Sequence, residues 1–128
     1  MIYGIGTDLI ETDRFKEILI KNNTRFLQRV FTEKEIAYCS HGAQLDTQAQ
    51  CFAARFAAKE ACLKALGTGL RHGLKWTDIE ISNDSRGKPF LKVYNKAEQI
   101  IKNEKIINIH VSVAHIKNQA SALVILEK

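Results

Sequence analysis

Apolar positions recur at helical spacing through the first half of the chain and alternate with polar ones through much of the second. Residues 2–6 read as a short buried strand. Asp8 to Asp13 lead into a first helix, in which Phe15, Ile18 and Leu19 are spaced as a core stripe. Asn22-Asn23-Thr24 interrupts it, and Phe26 to Phe31 predicts a second short helical piece. Thr32 with Glu35 makes a TxxE capping box that opens a third helix through about residue 40. Polar residues 41–46 predict a loop, and a long helix follows from near Thr47 to Gly67. Beyond the loop at Arg71-His72-Gly73, Ile79 and Ile81 alternate with polar neighbours as in a half-buried strand. Asp84 to Gly87 is a turn, and Pro89 precedes a strand at 90–94. Asn95 is placed to cap a helix carrying Ile100 and Ile101. Ile109, Val111 and Val113 alternate over another strand, and Asn118-Gln119 turns into a last one at 120–126. The expected fold is α+β, with helices packed on a small antiparallel sheet, and residues 1–128 are expected to form a single domain.

The stretch from Arg55 to Gly69, RFAAKEACLKALGTG, carries the densest chemistry. Its alanines and leucines favour helix, and Gly67 is suited to the left-handed position that closes one. Phe52, Phe56 and Leu63 share a face, and Glu60 sits on its edge. A carboxylate there needs a partner. One reading is an i,i+4 salt bridge to Lys64, which these residues alone favour. The other is a metal ion. Asp8, after two glycines, is by itself best read as the N-cap of the following helix. Taken together, Asp8 and Glu60 offer two hard oxygen ligands, which suits Mg²⁺. Arg55 and Lys59 form another i,i+4 pair, facing solvent by default or a phosphate otherwise. Gly67-Thr68-Gly69 either ends the helix or turns backbone N–H groups toward a phosphate. His115 closes a strand, where a histidine is ordinarily half-exposed.

Net charge is +5, which favours an anionic partner without naming it: nucleic acid, an acidic protein and a phosphorylated small molecule all qualify. No apolar run approaches the roughly 20 residues needed to span a bilayer. No secretory signal is visible at the N-terminus. The three cysteines, Cys39, Cys51 and Cys62, are odd in number and lack a CxxC pair. They read as reduced, part-buried thiols of a cytoplasmic protein.

Four segments, GIGTDLIETDR, RFAAKEACLKALGTG, GKP at 87–89 and HVSVAH at 110–115, resemble in order the holo-acyl-carrier-protein synthases, the small bacterial 4'-phosphopantetheinyl transferases. The resemblance covers essentially the whole chain. It implies that 4'-phosphopantetheine passes from coenzyme A to a serine of apo-acyl carrier protein in fatty acid biosynthesis. It implies Mg²⁺ on Asp8 and Glu60, and Glu60 and Lys64 as catalytic residues. Coenzyme A would contact Arg55, Lys64, Gly67, Gly69, Pro89 and His115. Arg14, Ile18 and Lys21 fall in one helical stripe, which Arg25 and Arg29 join only approximately past the Asn22-Asn23 break; by themselves they read as a solvated helix face, and the resemblance makes them a basic dock with one apolar knob for the acidic carrier. The resemblance further implies a homotrimer with active sites between subunits, and neither nucleic acid nor membrane as partner. Two positions depart from the family pattern. Ala114 stands where Ser or Thr precedes the histidine, and Cys51 where some relatives carry an aromatic. The rival from another class is a small basic RNA-binding module. Against it, only 8% of residues are aromatic, and the strands do not interleave exposed aromatics with Lys and Arg.

Overall fold

The computed structural model describes residues 1–42 and 44–128. Its first element, β1 (Ile2–Glu11), is twice the expected length because it pairs along its whole course with the last strand, β5 (Gln119–Glu127). Asp8 therefore lies within a strand, opposite Ala122, and does not cap a helix; Glu11 takes the N-cap position of α1 (Thr12–Ile20) without a side-chain cap. Next come α2 (Thr24–Val30), capped by the Asn23 side chain, and α3 (Glu33–Ser40), which opens with the expected Thr32/Glu35 capping box. Of the expected 41–46 loop, Ala43 lies outside the described residues, and Leu45 and Asp46 already belong to α4 (Leu45–Leu66).

The second half supplies a 3-10 turn (Trp76–Asp78), β2 (Ile79–Asn83), β3 (Pro89–Val93), α5 (Asn95–Asn103) and β4 (Asn108–His115). Asn95 is the first residue of α5 and not its cap; its side-chain amide donates to Asp78 at 3.2 Å. The strands form two antiparallel sheets in place of one: a three-stranded sheet ordered β1-β5-β4, and the hairpin β2-β3. The α+β class stands as expected. Among the described residues no helix is long and apolar enough to cross a membrane.

Helix α4 is the core. From Phe52 to Lys59 every side chain is buried, so this segment has no polar face from which a helical period could be read. Phe15, Phe31 and Phe52 cluster on it with ring centroids 5.0–6.5 Å apart, a separation at which aromatic edges and faces attract. On its other side the strands approach closely. A methyl group at Gly4 would run into the carbonyl of Ala65, and one at Gly6 into that of Ala61. Glycine at these two positions lets β1 lie directly on α4, and β1 carries Asp8 with it.

The Arg55/Lys59 pair does not face solvent. Lys59 is wholly buried, ion-paired with Glu35 at 2.7 Å, and donates to the carbonyls of Trp76 and Ile79. Glu35 is buried too and accepts from the backbone N–H groups of Thr32 and Ile81. A charge this deep survives only with partners on every valence, and these bonds tie α3, the 3-10 turn and β2 to α4. The cysteines are also not all reduced: Cys39 and Cys51 form a disulfide across 5.4 Å between their Cα atoms, and Cys62 alone is a free thiol. The sequence spacing of 12 gives no hint of this, because the pairing is made by α3 folding back beside α4.

Candidate active site

Asp8 projects from β1 toward α4, on the same strand face as Gly4, Gly6 and Ile10. Lys64, in the last turn of α4, donates to Asp8 Oδ1 at 3.0 Å and to the carbonyl of Thr7 at 3.0 Å. The expected Glu60–Lys64 bridge is therefore replaced by one to Asp8. The i,i+4 rule looks along a single helix, whereas the nearer anion is on a strand more than fifty residues away. The second oxygen, Asp8 Oδ2, is buried and has no hydrogen-bond partner among the described residues. An orphaned carboxylate oxygen is costly, and a hard cation would satisfy it.

Glu60 completes the group from α4. Burial pushes its carboxyl above the usual carboxylate range, and the negative charge of Asp8 pushes further; Lys64 and Arg14 oppose both. Two carboxylates thus feel each other in a partly desolvated setting, and neither is fully neutralised by the protein. Such a pair fits Mg²⁺, which takes few protein ligands and keeps positions for water and phosphate. Among the described residues no cluster of three or more acidic, histidine or cysteine side chains offers a fuller metal cage. Asp8 and Lys64 line an open cleft of about 730 Å³, whose other wall includes Ser112, Ala114 and Leu123.

Arg55 and His115 meet in a second pocket of about 390 Å³, together with Tyr38, Cys51 and Asn83. The Arg55 guanidinium lies over the Tyr38 ring at 4.3 Å and donates to Asn83 Oδ1 at 2.8 Å, and its buried Nε has no partner among the described residues. Pro89 is paired with Asn83 in the β2-β3 hairpin. Gly67, at φ 76°, spends its N–H on the helix cap, donating to the carbonyls of Leu63 and Lys64. Gly69 follows at φ 59° in the exposed exit from α4. Arg14 and Ile18 share α1, Lys21 caps it, and Arg25 and Arg29 sit on α2 beyond the turn at Asn22, so the basic stripe spans two helices. Arg14 lies over the Phe56 ring at 5.2 Å and within the field of Glu60.

Tyr38 and Asn83 carry no signal along the chain that would have marked them. Glu35 was legible as a capping-box residue, but its partner Lys59 lies on another helix.

The profile of the 4'-phosphopantetheinyl transferase superfamily matches residues 4–124. The holo-acyl-carrier-protein synthase of Geotalea daltonii is 48% identical over 128 residues, covering all of both chains. Among solved structures, the holo-acyl-carrier-protein synthase of Bacillus anthracis, in complex with CoA (3',5'-ADP), is 39% identical with a TM-score of 0.80, over 99% of this chain and 97% of that one. That of Plasmodium yoelii is 34% identical with a TM-score of 0.83, over 98% and 94%. The chain is a transferase of the 4'-phosphopantetheinyl transferase superfamily and, within it, belongs to the holo-acyl-carrier-protein synthases.

Proposed function

We propose that the chain transfers 4'-phosphopantetheine from coenzyme A to a serine hydroxyl of apo-acyl carrier protein. The products are holo-acyl carrier protein and adenosine 3',5'-bisphosphate, and the setting is fatty acid biosynthesis in the cytoplasm. The names of the relatives and the coenzyme A complex of a homologue support the reading. The observation that carries it is the carboxylate pair with valence to spare: Asp8 with one buried oxygen unpartnered among the described residues, and Glu60 pushed up beside it.

Asp8 and Glu60 would hold Mg²⁺. When bound, the ion supplies charge neutralisation and Lewis-acid polarisation at the pyrophosphate. The remaining tasks fall to side chains of this chain, since phosphoryl transfer rests on positioning and electrostatics. Lys64 is half-exposed and able to turn from Asp8 to a phosphate oxygen, so its charge meets the negative charge gathering on the leaving phosphate. The serine oxygen bonds to phosphorus as the bond to adenosine 3',5'-bisphosphate breaks. The serine proton would go to Glu60, which α4 presents one helical turn before Lys64. Arg55 and His115 would receive a phosphate at the nucleotide end of coenzyme A, with Gly69 and Pro89 bordering the approach. The basic stripe on α1 and α2 would dock the acidic carrier. Ile5, Leu9 and Leu123 form an exposed aliphatic face on the sheet side away from α4, 55%, 62% and 37% accessible. That face would be covered in a homotrimer with active sites between subunits. It is aliphatic where an RNA-stacking sheet would be aromatic, and nothing favours the RNA-binding alternative.

Incubation with coenzyme A, Mg²⁺ and apo-carrier should add the mass of one phosphopantetheine to the carrier. A folded preparation that leaves the carrier mass unchanged overturns the reading.

A further inference from the structure

The Cys39–Cys51 disulfide lines the same pocket as Arg55 and His115. Cys39 is buried and Cys51 half-buried, so the sulfur within reach of the pocket is that of Cys51. One end of the bridge touches the pocket's cation, and the neighbour of the other end does. Arg55 is one helical turn after Cys51 and donates from Nη1 to its Sγ at 3.6 Å. Tyr38, the residue before Cys39, lies against the guanidinium at 4.3 Å. The third cysteine has no such setting: Cys62 is buried in the core, and burial pushes its thiol up to about 12.

We propose that Cys39–Cys51 is a redox switch on the Arg55/His115 pocket. As a disulfide it sets only a neutral sulfur against Arg55, which keeps its charge for an anionic ligand; as a dithiol it sets a Cys51 thiolate against Arg55 and weakens anion binding. The inference rests on the reading that this pocket takes a phosphate of coenzyme A. In a reducing compartment a disulfide is usually transient and redox-sensing, which suits a switch better than a structural staple.

The chemistry is ordinary thiol–disulfide exchange with a dithiol reductant. A reductant thiolate attacks Cys51 Sγ, the bond to Cys39 breaks, and Cys39 leaves as a thiolate that takes a proton. The second reductant thiol then displaces Cys51 and becomes a disulfide with the first. Two electrons and one proton, on Cys39, pass to the protein; Cys51 stays a thiolate and the second proton goes to solvent. Cys51 is released beside a guanidinium, which favours its thiolate. The other titratable groups facing it are Tyr38 from α3, His41 just beyond it, and His115 from β4; Glu35 acts on Arg55 from the buried side.

The test measures binding of adenosine 3',5'-bisphosphate by calorimetry to oxidised wild type, dithiothreitol-reduced wild type, Cys39→Ser and Cys51→Ser. Thiols are counted by mass after alkylation. At pH 8, reduced wild type and Cys39→Ser should bind about three- to tenfold more weakly than oxidised wild type, the scale of one competing ion pair. The gap should close as pH falls and Cys51 protonates. Cys51→Ser, with neither bridge nor thiolate, should respond neither to reductant nor in this way to pH. Equal binding in both redox states overturns the switch and leaves the pocket's reading intact. So does equal weakening in both serine variants, which would mark the loss of a cross-link alone. Three alkylatable thiols in a sample treated with oxidant also overturn it. No binding to any form overturns the reading of the pocket and the switch with it.

Discussion

Asp8 and Glu60 show how one residue's surroundings set its chemistry. One Asp8 oxygen is bound by Lys64 while its twin is buried without a partner among the described residues, and the negative charge of Asp8 helps to hold the Glu60 carboxyl up. Asp8→Asn and Glu60→Gln keep the shapes and remove the charges. Each should lower turnover by at least about 100-fold, the loss of several kcal/mol of charge stabilisation, with the far-ultraviolet spectrum unchanged. Near-normal turnover in either variant at low Mg²⁺ would exclude that carboxylate from the site. Glu60→Gln also tests the electrostatics without activity. A carboxyl raised in the folded state binds its proton more tightly than in the unfolded chain. Its contribution to stability is therefore full below the unfolded value and lost as pH rises through the folded one. In chelator at pH 8 the variant should melt slightly above wild type, and the difference should vanish at low pH, where Glu60 is neutral in both. Adding Mg²⁺ should raise the melting temperature of wild type but not that of the variant.

At the scale of elements, two devices hold the site together. The first is the buried Lys59–Glu35 pair, which locks α3, the 3-10 turn and β2 to α4. Lys59→Met strands Glu35 in the core and should cost about 3–5 kcal/mol in urea unfolding. Lys59→Met with Glu35→Gln keeps the cap's oxygen, removes the stranded charge, and should recover part of that loss. If the double variant is no better than the single one, the pair acts through shape and not charge. The second device is the glycine contact between β1 and α4. Gly6→Ala puts a methyl group against the Ala61 carbonyl and the Ala65 N–H. It should cost about 1–3 kcal/mol and lower turnover even where the chain is fully folded, because β1 must move and Asp8 moves with it. Unchanged kinetics in a destabilised Gly6→Ala would show that the strand absorbs the methyl elsewhere.

At the scale of the whole molecule, two surfaces remain to be covered. The aliphatic sheet face is the proposed trimer contact, so Leu9→Glu, placing a charge on the most exposed of its three side chains, should reduce the mass seen by light scattering to that of one chain. A wild-type sample that is active and monomeric at micromolar concentration would remove the trimer from the account. The basic stripe is the proposed carrier dock. Arg14 is a poor probe of it alone, since it also acts on Glu60. Arg25→Glu, on α2, should raise the KM for carrier several-fold and leave that for coenzyme A nearly unchanged, and the wild-type carrier KM should rise with salt. Equal changes in both constants would place the dock elsewhere.

Much of this was legible along the chain, for a physical reason. Helix capping, turn formation and strand alternation are short-range effects, so Thr32 with Glu35, Asn22-Asn23, Gly67 and the alternation of Ile109, Val111 and Val113 announced their elements. Asp8 and Glu60 stood out as carboxylates in settings that call for partners. What the tertiary structure decided is which groups meet. Lys64 turned from Glu60 to Asp8, Lys59 from solvent to Glu35, and Cys39 to Cys51, because ion pairing and disulfide formation depend on distance in space. The length of β1 was likewise set by long-range pairing with β5, and the division into two sheets by which strands meet in space, which no local pattern encodes.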